Sequence, residues 1–450
     1  MTAITICLLA FAFTFWARTQ SRSAGLLSVL AFGYSYGILR ANLTTAGYFI
    51  FDSAAAGLYL AELRTHLSPA QRLRENRLRD WVVALALVPS LLLLLPRQDV
   101  LVQLVGFRSA ILFLPFILLG ARLERDDFRK LAIGVAILNL VAFSFAGYEF
   151  VNGINSLYPV TSVTSIIYRS TLQDASFYRI PATFSSSASY GGTMVVTIPL
   201  LGMAISGKHV KGLWYAVCFA GLAIGTVGVF VSASRSTAVL AIVALVAILI
   251  QNRRTPRVAM ALAGGAIIVA TLVASQTRLQ RFLSLGDTEY VAQRLIGSAN
   301  AGIVDIVMRY PFGNGLGAGG TSLPYFIEKR VEGAIWLENE YARLALEQGA
   351  IGLFLWIGFI AWVLVPSHGD SRTQGKLAIR ILTAAIFATG MVGTGLLAAI
   401  PGTCFLFLMI GVLFNDLSPS RAPGRIQRPR GRMVRKPVAP ALTATARLPG

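Results

Sequence analysis

The sequence predicts an all-α integral membrane protein, a polytopic bundle of about 12–13 transmembrane helices with one large periplasmic loop. Three observations carry this prediction. Of 450 residues, 55% are hydrophobic and only 13% charged, with mean hydropathy +0.66; soluble domains carry about 25% charged residues. Apolar runs of about 20 residues, the length that crosses a hydrocarbon core, recur from end to end. No long stretch alternates polar and apolar residues as the strands of an outer-membrane barrel would.

Taken in order, the expected spans are 2–17, 24–40, 44–63, 80–96, 101–121, 131–149, 190–207, 212–232, 236–251, 258–275, 349–366, 377–395 and 398–415. A signal peptide at 1–17 would carry a basic leader; none precedes the apolar stretch, so it reads as a helix. The net charge of +20 is distributed as a membrane topology requires. Arg18 and Arg22, then Arg64, Arg72, Arg74, Arg77 and Arg79, then Arg122, Arg125, Arg129 and Lys130 fall between spans. Lys208 and Lys211, Arg253, Arg254 and Arg257, and Arg372, Lys376 and Arg380 follow, and every group lies on one side, which the positive-inside rule makes cytoplasmic. The chain thus divides into N-terminal helices (1–175), central helices with arginine motifs (176–275), the large loop (276–348), C-terminal helices (349–416) and a basic tail (417–450). The tail reads as a disordered cytoplasmic extension leaning on anionic lipid, not as a nucleic-acid site.

Two long segments, Glu149–Tyr190 and Gln276–Gln348, fall on the opposite face. The second holds eight acidic and seven basic residues, without the positive excess of the inner loops. A loop of that length in a compact bundle points to function. Cys7, Cys218 and Cys404 sit inside apolar spans, far apart, as packing residues. His66, His209 and His368 fall on the inner side, so an outer site has no histidine base or imidazole ligand. No Walker-type phosphate loop occurs. Gly315, Gly317 and Gly320 match a dinucleotide fingerprint, but outside a βαβ unit they read as a turn that lets backbone approach a ligand.

Arginines and carboxylates remain on the outer face. Arg235 stands in the polar notch Ser232-Ala233-Ser234-Arg235-Ser236-Thr237 between two apolar spans. Snorkelling to headgroups and phosphate binding are both open to it; its planar fork of donors suits phosphate oxygens. Arg179 precedes a Ser-rich stretch, and Arg294 heads a helix ending near Tyr310-Pro311. The segment from Trp336 to Leu353 reads as an amphipathic helix, a break at Gly349, and a new span. Asn339 and Glu340 stand four and three residues before Arg343, so local pairs can form. Glu338, near the helix start, is either a favourable charge on the dipole or a general base.

Four patches, in order, resemble the O-antigen ligase and polymerase superfamily of bacterial envelope glycosyltransferases. Arg179-Ile180-Pro181-Ala182-Thr183-Phe184 is similar to its arginine-led segment, and Ser234-Arg235-Ser236 to its Ser-Arg-small motif. Arg294 followed by Pro311-Phe312-Gly313-Asn314-Gly315-Leu316-Gly317 resembles the loop's Arg, then Pro-x-Gly-x-Gly pattern. Glu338-Asn339-Glu340-Tyr341 through Glu347-Gln348-Gly349-Ala350-Ile351-Gly352 resembles its His-Asn-x-Tyr…Glu-x-Gly-x-x-Gly signature, with Glu338 where the family has histidine. The resemblance implies transfer of an undecaprenyl-diphosphate-linked glycan to a glycan or lipid A core acceptor, without metal or other cofactor, at the periplasmic face of the inner membrane. It implies catalytic roles for Glu338, Arg235 and Arg294. It implies substrate binding by Arg179, Asn339, Tyr341, Gly313, Gly315 and Gly317. Membrane lipid and a chain-length regulator are implied partners; nucleic acid is not. The glutamate in the histidine's place favours a polymerase over a ligase. Two other classes fit the composition. A polyprenyl-glycan flippase or other secondary transporter would use ionisable residues within the spans, for which Asp52 and Arg108 are candidates. A non-catalytic scaffold of envelope polysaccharide assembly would tolerate loss of Arg235, Arg294 and Glu338, which an enzyme would not.

Overall fold

A computed structural model describes residues 2–43, 45–95, 97–159, 179–207, 209–251, 271, 282, 287–299, 302–319, 337–365, 376–393 and 395–415. Among them secondary structure is helical throughout. In chain order the helices are α1 Thr2–Gln20, α2 Arg22–Asn42, α3 Ile50–Leu63, α4 Pro69–Leu93, α5 Val100–Ile111, α6 Pro115–Arg122 and α7 Arg125–Asn152. They continue as α8 Ser187–Ser206, α9 Leu213–Val231, α10 Arg235–Gln251, α11 Thr288–Ala299, α12 Ile303–Arg309, α13 Glu340–Leu364, α14 Lys376–Thr389 and α15 Gly402–Leu413. Among the described residues, six stretches are long and apolar enough to cross a membrane: α2, α5 with α6, α7, α8, α9 and α13. The chain therefore has the build of a multi-pass helical membrane protein. The expected span 258–275 (residue 271 apart), much of the loop 276–348 and the tail lie outside the described residues.

Helix boundaries depart from the expected spans where local chemistry decides. Helix α4 starts at Pro69, not near residue 80, because Ser68 and Gln71 form a reciprocal capping box and proline suits the first turn. Its first turns then project Arg72, Arg77 and Arg79 outward. The expected span 101–121 is two helices: residues 112–114 form a turn, and Pro115, lacking an N–H, opens α6. The expected spans 377–395 and 398–415 are shortened. Helix α14 stops at Thr389 and α15 starts at Gly402, with an irregular segment between that contains Gly390, Gly393 and Gly395.

Packing follows small residues and buried polar pins. Helices α6 and α15 meet at Gly120 and Gly411: a Cβ on the first would lie 2.1 Å from Leu408 O, and on the second 2.1 Å from Ile117 O. Asn139 of α7, fully buried, accepts from Tyr34 Oη at 2.7 Å and donates to Thr197 Oγ1 at 2.9 Å and Gly221 O at 3.3 Å. That one amide joins α2, α7, α8 and α9.

At one end of the bundle, charged residues expected to mark loops are instead enclosed. Glu62 accepts from Arg18 at 2.6 Å and Arg22 at 3.0 Å, and Arg122 lies 3.3 Å from its other oxygen. Arg122 also holds Glu75 at 2.6 Å. Ion pairing among five helices makes burial of these groups tolerable.

Candidate functional site

A cavity of about 630 Å³ opens among α2, α5, α8, α10 and the segment between α14 and α15. One wall is built by the chain entering α8. Tyr158 Oη donates to the carbonyls of Ala182 and Phe184, each at 2.8 Å, and Gly37 N donates to Thr183 O at 2.9 Å. Ala182 N donates to Glu149 Oε2 at 2.8 Å, and Ala182 itself sits at φ 53°. So anchored, the chain turns into α8, where Ser186 accepts from Ser189 N at 3.1 Å as the cap. Ser185, Ser186, Ser189 and Thr193 line the cavity.

A second wall is the α9–α10 hairpin, turned at Ala233 (φ 54°). It packs tightly on α8: a Cβ on Gly191 would lie 2.5 Å from Ser232 Oγ and 2.7 Å from Thr237 Oγ1. Arg235 is the first residue of α10, followed by the cavity-lining Ser236 and Thr237. A cation at a helix N-terminus works against the dipole. Arg179 is half-buried nearby, and burial, then the charge of Arg235, lower its pKa. Its buried Nε has no hydrogen-bond partner. Two like charges and a helix N-terminus gathered in one place create a potential that favours an anion.

The facing wall carries two arginines. Arg40 lies over the ring of Tyr48, 4.9 Å from its centroid. Arg108 pairs with Asp52 at 2.7 Å, while its buried Nη2 has no hydrogen-bond partner. The cavity thus combines arginines and hydroxyls with an apolar side that includes Leu101, Val105, Val195 and Leu240. An amphiphile with a phosphate head would match both halves.

The fourth wall, residues 389–393 and 395–403, is positioned by a buried triad on α13. Arg343 holds Glu340 at 2.5 Å and Glu347 at 2.7 Å, with side-chain exposures of 4%, 2% and 1%. Glu340 Oε2 accepts from Gly395 N at 2.8 Å, and Glu340 N donates to Gly390 O at 2.8 Å. Glu347 Oε1 accepts from Gly319 N at 3.2 Å. The triad therefore ties the cavity wall to the glycine turn.

The remaining expected site residues fall as follows. Asn339 caps α13, its side chain accepting from Tyr341 N at 2.9 Å and Ala342 N at 3.2 Å, while the Arg343 guanidinium turns to Glu340 and Glu347. Tyr341 donates to Phe387 O at 2.7 Å. Glu338 is exposed just ahead of the cap. The expected break at Gly349 is present (φ 70°), with Ala350 N donating to Pro311 O at 2.9 Å. Gly313, Gly315 and Gly317 all have positive φ, but the close approach they allow is to the chain itself: Val102 O would lie 2.6 Å from a Cβ on Gly317. The side chain of Arg294 lies outside the described residues; its backbone belongs to α11. Arg179 and Arg235 are brought together. Arg40 and the hydroxyls of α8 were not expected, and nothing in their spacing signals them. Arg108, an ionisable residue inside an apolar run, did carry a signal. No family model and no curated protein matches this chain.

Proposed function

We propose that the protein is an integral-membrane glycosyltransferase that elongates or transfers a glycan carried on a polyprenyl diphosphate, polymerase-like rather than ligase-like. The reading rests on the motif order described above. The observation that carries it is the cavity of about 630 Å³ whose arginines and hydroxyls face an apolar side, with Arg108 Nη2 lacking a partner and Arg179 and Arg235 adjoining. In this reading the acceptor hydroxyl oxygen attacks the anomeric carbon of the donor as the bond from that carbon to the diphosphate breaks. The electron pair leaves with the diphosphate, whose growing charge the arginines stabilise. Glu338 takes the hydroxyl proton. The reaction faces the periplasm, and no cofactor takes part.

The test is purified protein in lipid, given undecaprenyl-diphosphate-linked repeat units alone and resolved on a gel. A ladder of products is expected, with turnover of Arg235→Ala reduced by roughly a hundredfold at unchanged protein level. Unchanged turnover in that variant would overturn the reading. Transfer only after a lipid A core acceptor is added would make the protein a ligase. A flippase or transporter is the second reading, supported by the Asp52–Arg108 ion pair between α3 and α5. It predicts movement of labelled donor across vesicles with no elongation.

A further inference from the structure

A second cavity, of about 840 Å³, lies among α2, α7 and the entry to α9. Its rim holds Arg125, Arg129, Lys130 and Lys211 against one carboxylate, Asp126. Asp126 neutralises little: it is 81% exposed and only reaches 4.0 Å from Arg129. Three positive charges therefore remain uncompensated around one concavity. Below the rim the lining turns apolar, through Leu27, Ile133, Ile137 and Trp214. The apolar surface continues along α7 as an exposed stripe, Ile137, Val141, Phe145 and Tyr148, at helical spacing. Trp214 is 49% exposed at the helix entry, where an indole marks a membrane interface. This site is remote from the first cavity. Arg129 and Glu149, whose carboxylate anchors the α8 entry, are twenty residues apart on α7, roughly 30 Å along the axis.

We infer that this cavity binds an anionic phospholipid, its phosphodiester held by Arg129, Lys130 and Lys211 and its acyl chains lying along the α7 stripe. A soluble phosphate would use the cations but leave the apolar walls unmatched, and a zwitterionic lipid would bring a second cation against three existing ones.

The experiment uses full-length protein in nanodiscs of phosphatidylglycerol and phosphatidylcholine, with bound lipid counted by native mass spectrometry after detergent extraction. Preferential retention of phosphatidylglycerol is expected, weakening with salt. K130Q/K211Q changes two exposed side chains and should weaken retention by roughly thirtyfold, at about one basic-residue contribution each. R72Q/R77Q removes the same charge from exposed positions on α4 and should leave retention unchanged. Equal retention of both lipids, or equal loss in both variants, would overturn the assignment. Thermal stabilisation by millimolar inorganic phosphate equal to that by phosphatidylglycerol would also overturn it, in favour of a free-phosphate site.

Discussion

Arg343→Met tests whether the α13 triad holds the cavity wall. Arg343 is buried with a carboxylate on either side, at 2.5 and 2.7 Å, and each carboxylate is at most 2% exposed. Methionine keeps much of the volume but strands both acids. Removing one partner of a buried pair costs about 3–5 kcal/mol, and two orphaned carboxylates place this variant at the upper end, about 5 kcal/mol. The compensating triple variant, R343M with Glu340→Gln and Glu347→Gln, leaves no charge behind. Its amide oxygens can still accept from Gly395 N and Gly319 N. It should recover to within about 2 kcal/mol of the parent, because replacing a whole buried ionic group by neutral residues is often close to neutral. Reversible unfolding in detergent micelles, arranged as a mutant cycle, reads the coupling directly. A loss below about 1 kcal/mol for R343M, or a triple variant no more stable than the single one, would refute the reasoning. The single variant should also lose whatever activity depends on the 390–395 wall, although Arg343 does not line the cavity.

Glu62→Gln removes the charge shared by Arg18, Arg22 and Arg122 and should destabilise by about 3 kcal/mol or more in the same unfolding assay. A Cβ on Gly192 meets nothing within 4 Å although the residue lines the first cavity. Gly192→Ala should therefore be neutral to slightly stabilising, by up to about 1 kcal/mol. Gly192→Trp should fold and yet lose elongation or transport, as measured on reconstituted protein. His209 has its pKa lowered from 6.5 by burial and then by Arg125. Protonation thus favours the unfolded chain, so stability is complete above about pH 6.5 and declines below it. His209→Gln should flatten that decline in melting temperatures recorded across pH.

The helices were legible because length and hydropathy are local properties, and the break at Gly349 was legible because glycine adopts positive φ without the steric cost other residues bear. One of the triad's two ion pairs was legible too: Glu340 and Arg343 are three apart on a helix. That Glu347 closes it, and that all three are buried, depends on the 313–319 turn and the 390–395 segment arriving from far along the chain. Arg122 illustrates what position along the chain leaves out. Counting it as a loop marker followed from its position between apolar runs, whereas its partners Glu62 and Glu75 come from other helices. The first cavity was the least legible element. Arg40, Arg108, Ser189 and Ser236 belong to four helices, and no sequence spacing brings them to one place.

The irregular run between α14 and α15 has a consequence for the electrical profile of the bilayer. Helix α15 is 12 residues long, about 18 Å, against a hydrocarbon thickness of about 30 Å. Its missing length corresponds to peptide groups that need a polar environment, and that environment is the cavity they border. A helix about 12 Å short of that thickness leaves roughly two-fifths of it to the cavity and its lining. A membrane potential would fall over a correspondingly shorter path, so a charged headgroup entering the cavity would cross only part of the field, and its arrival and departure should depend weakly on voltage.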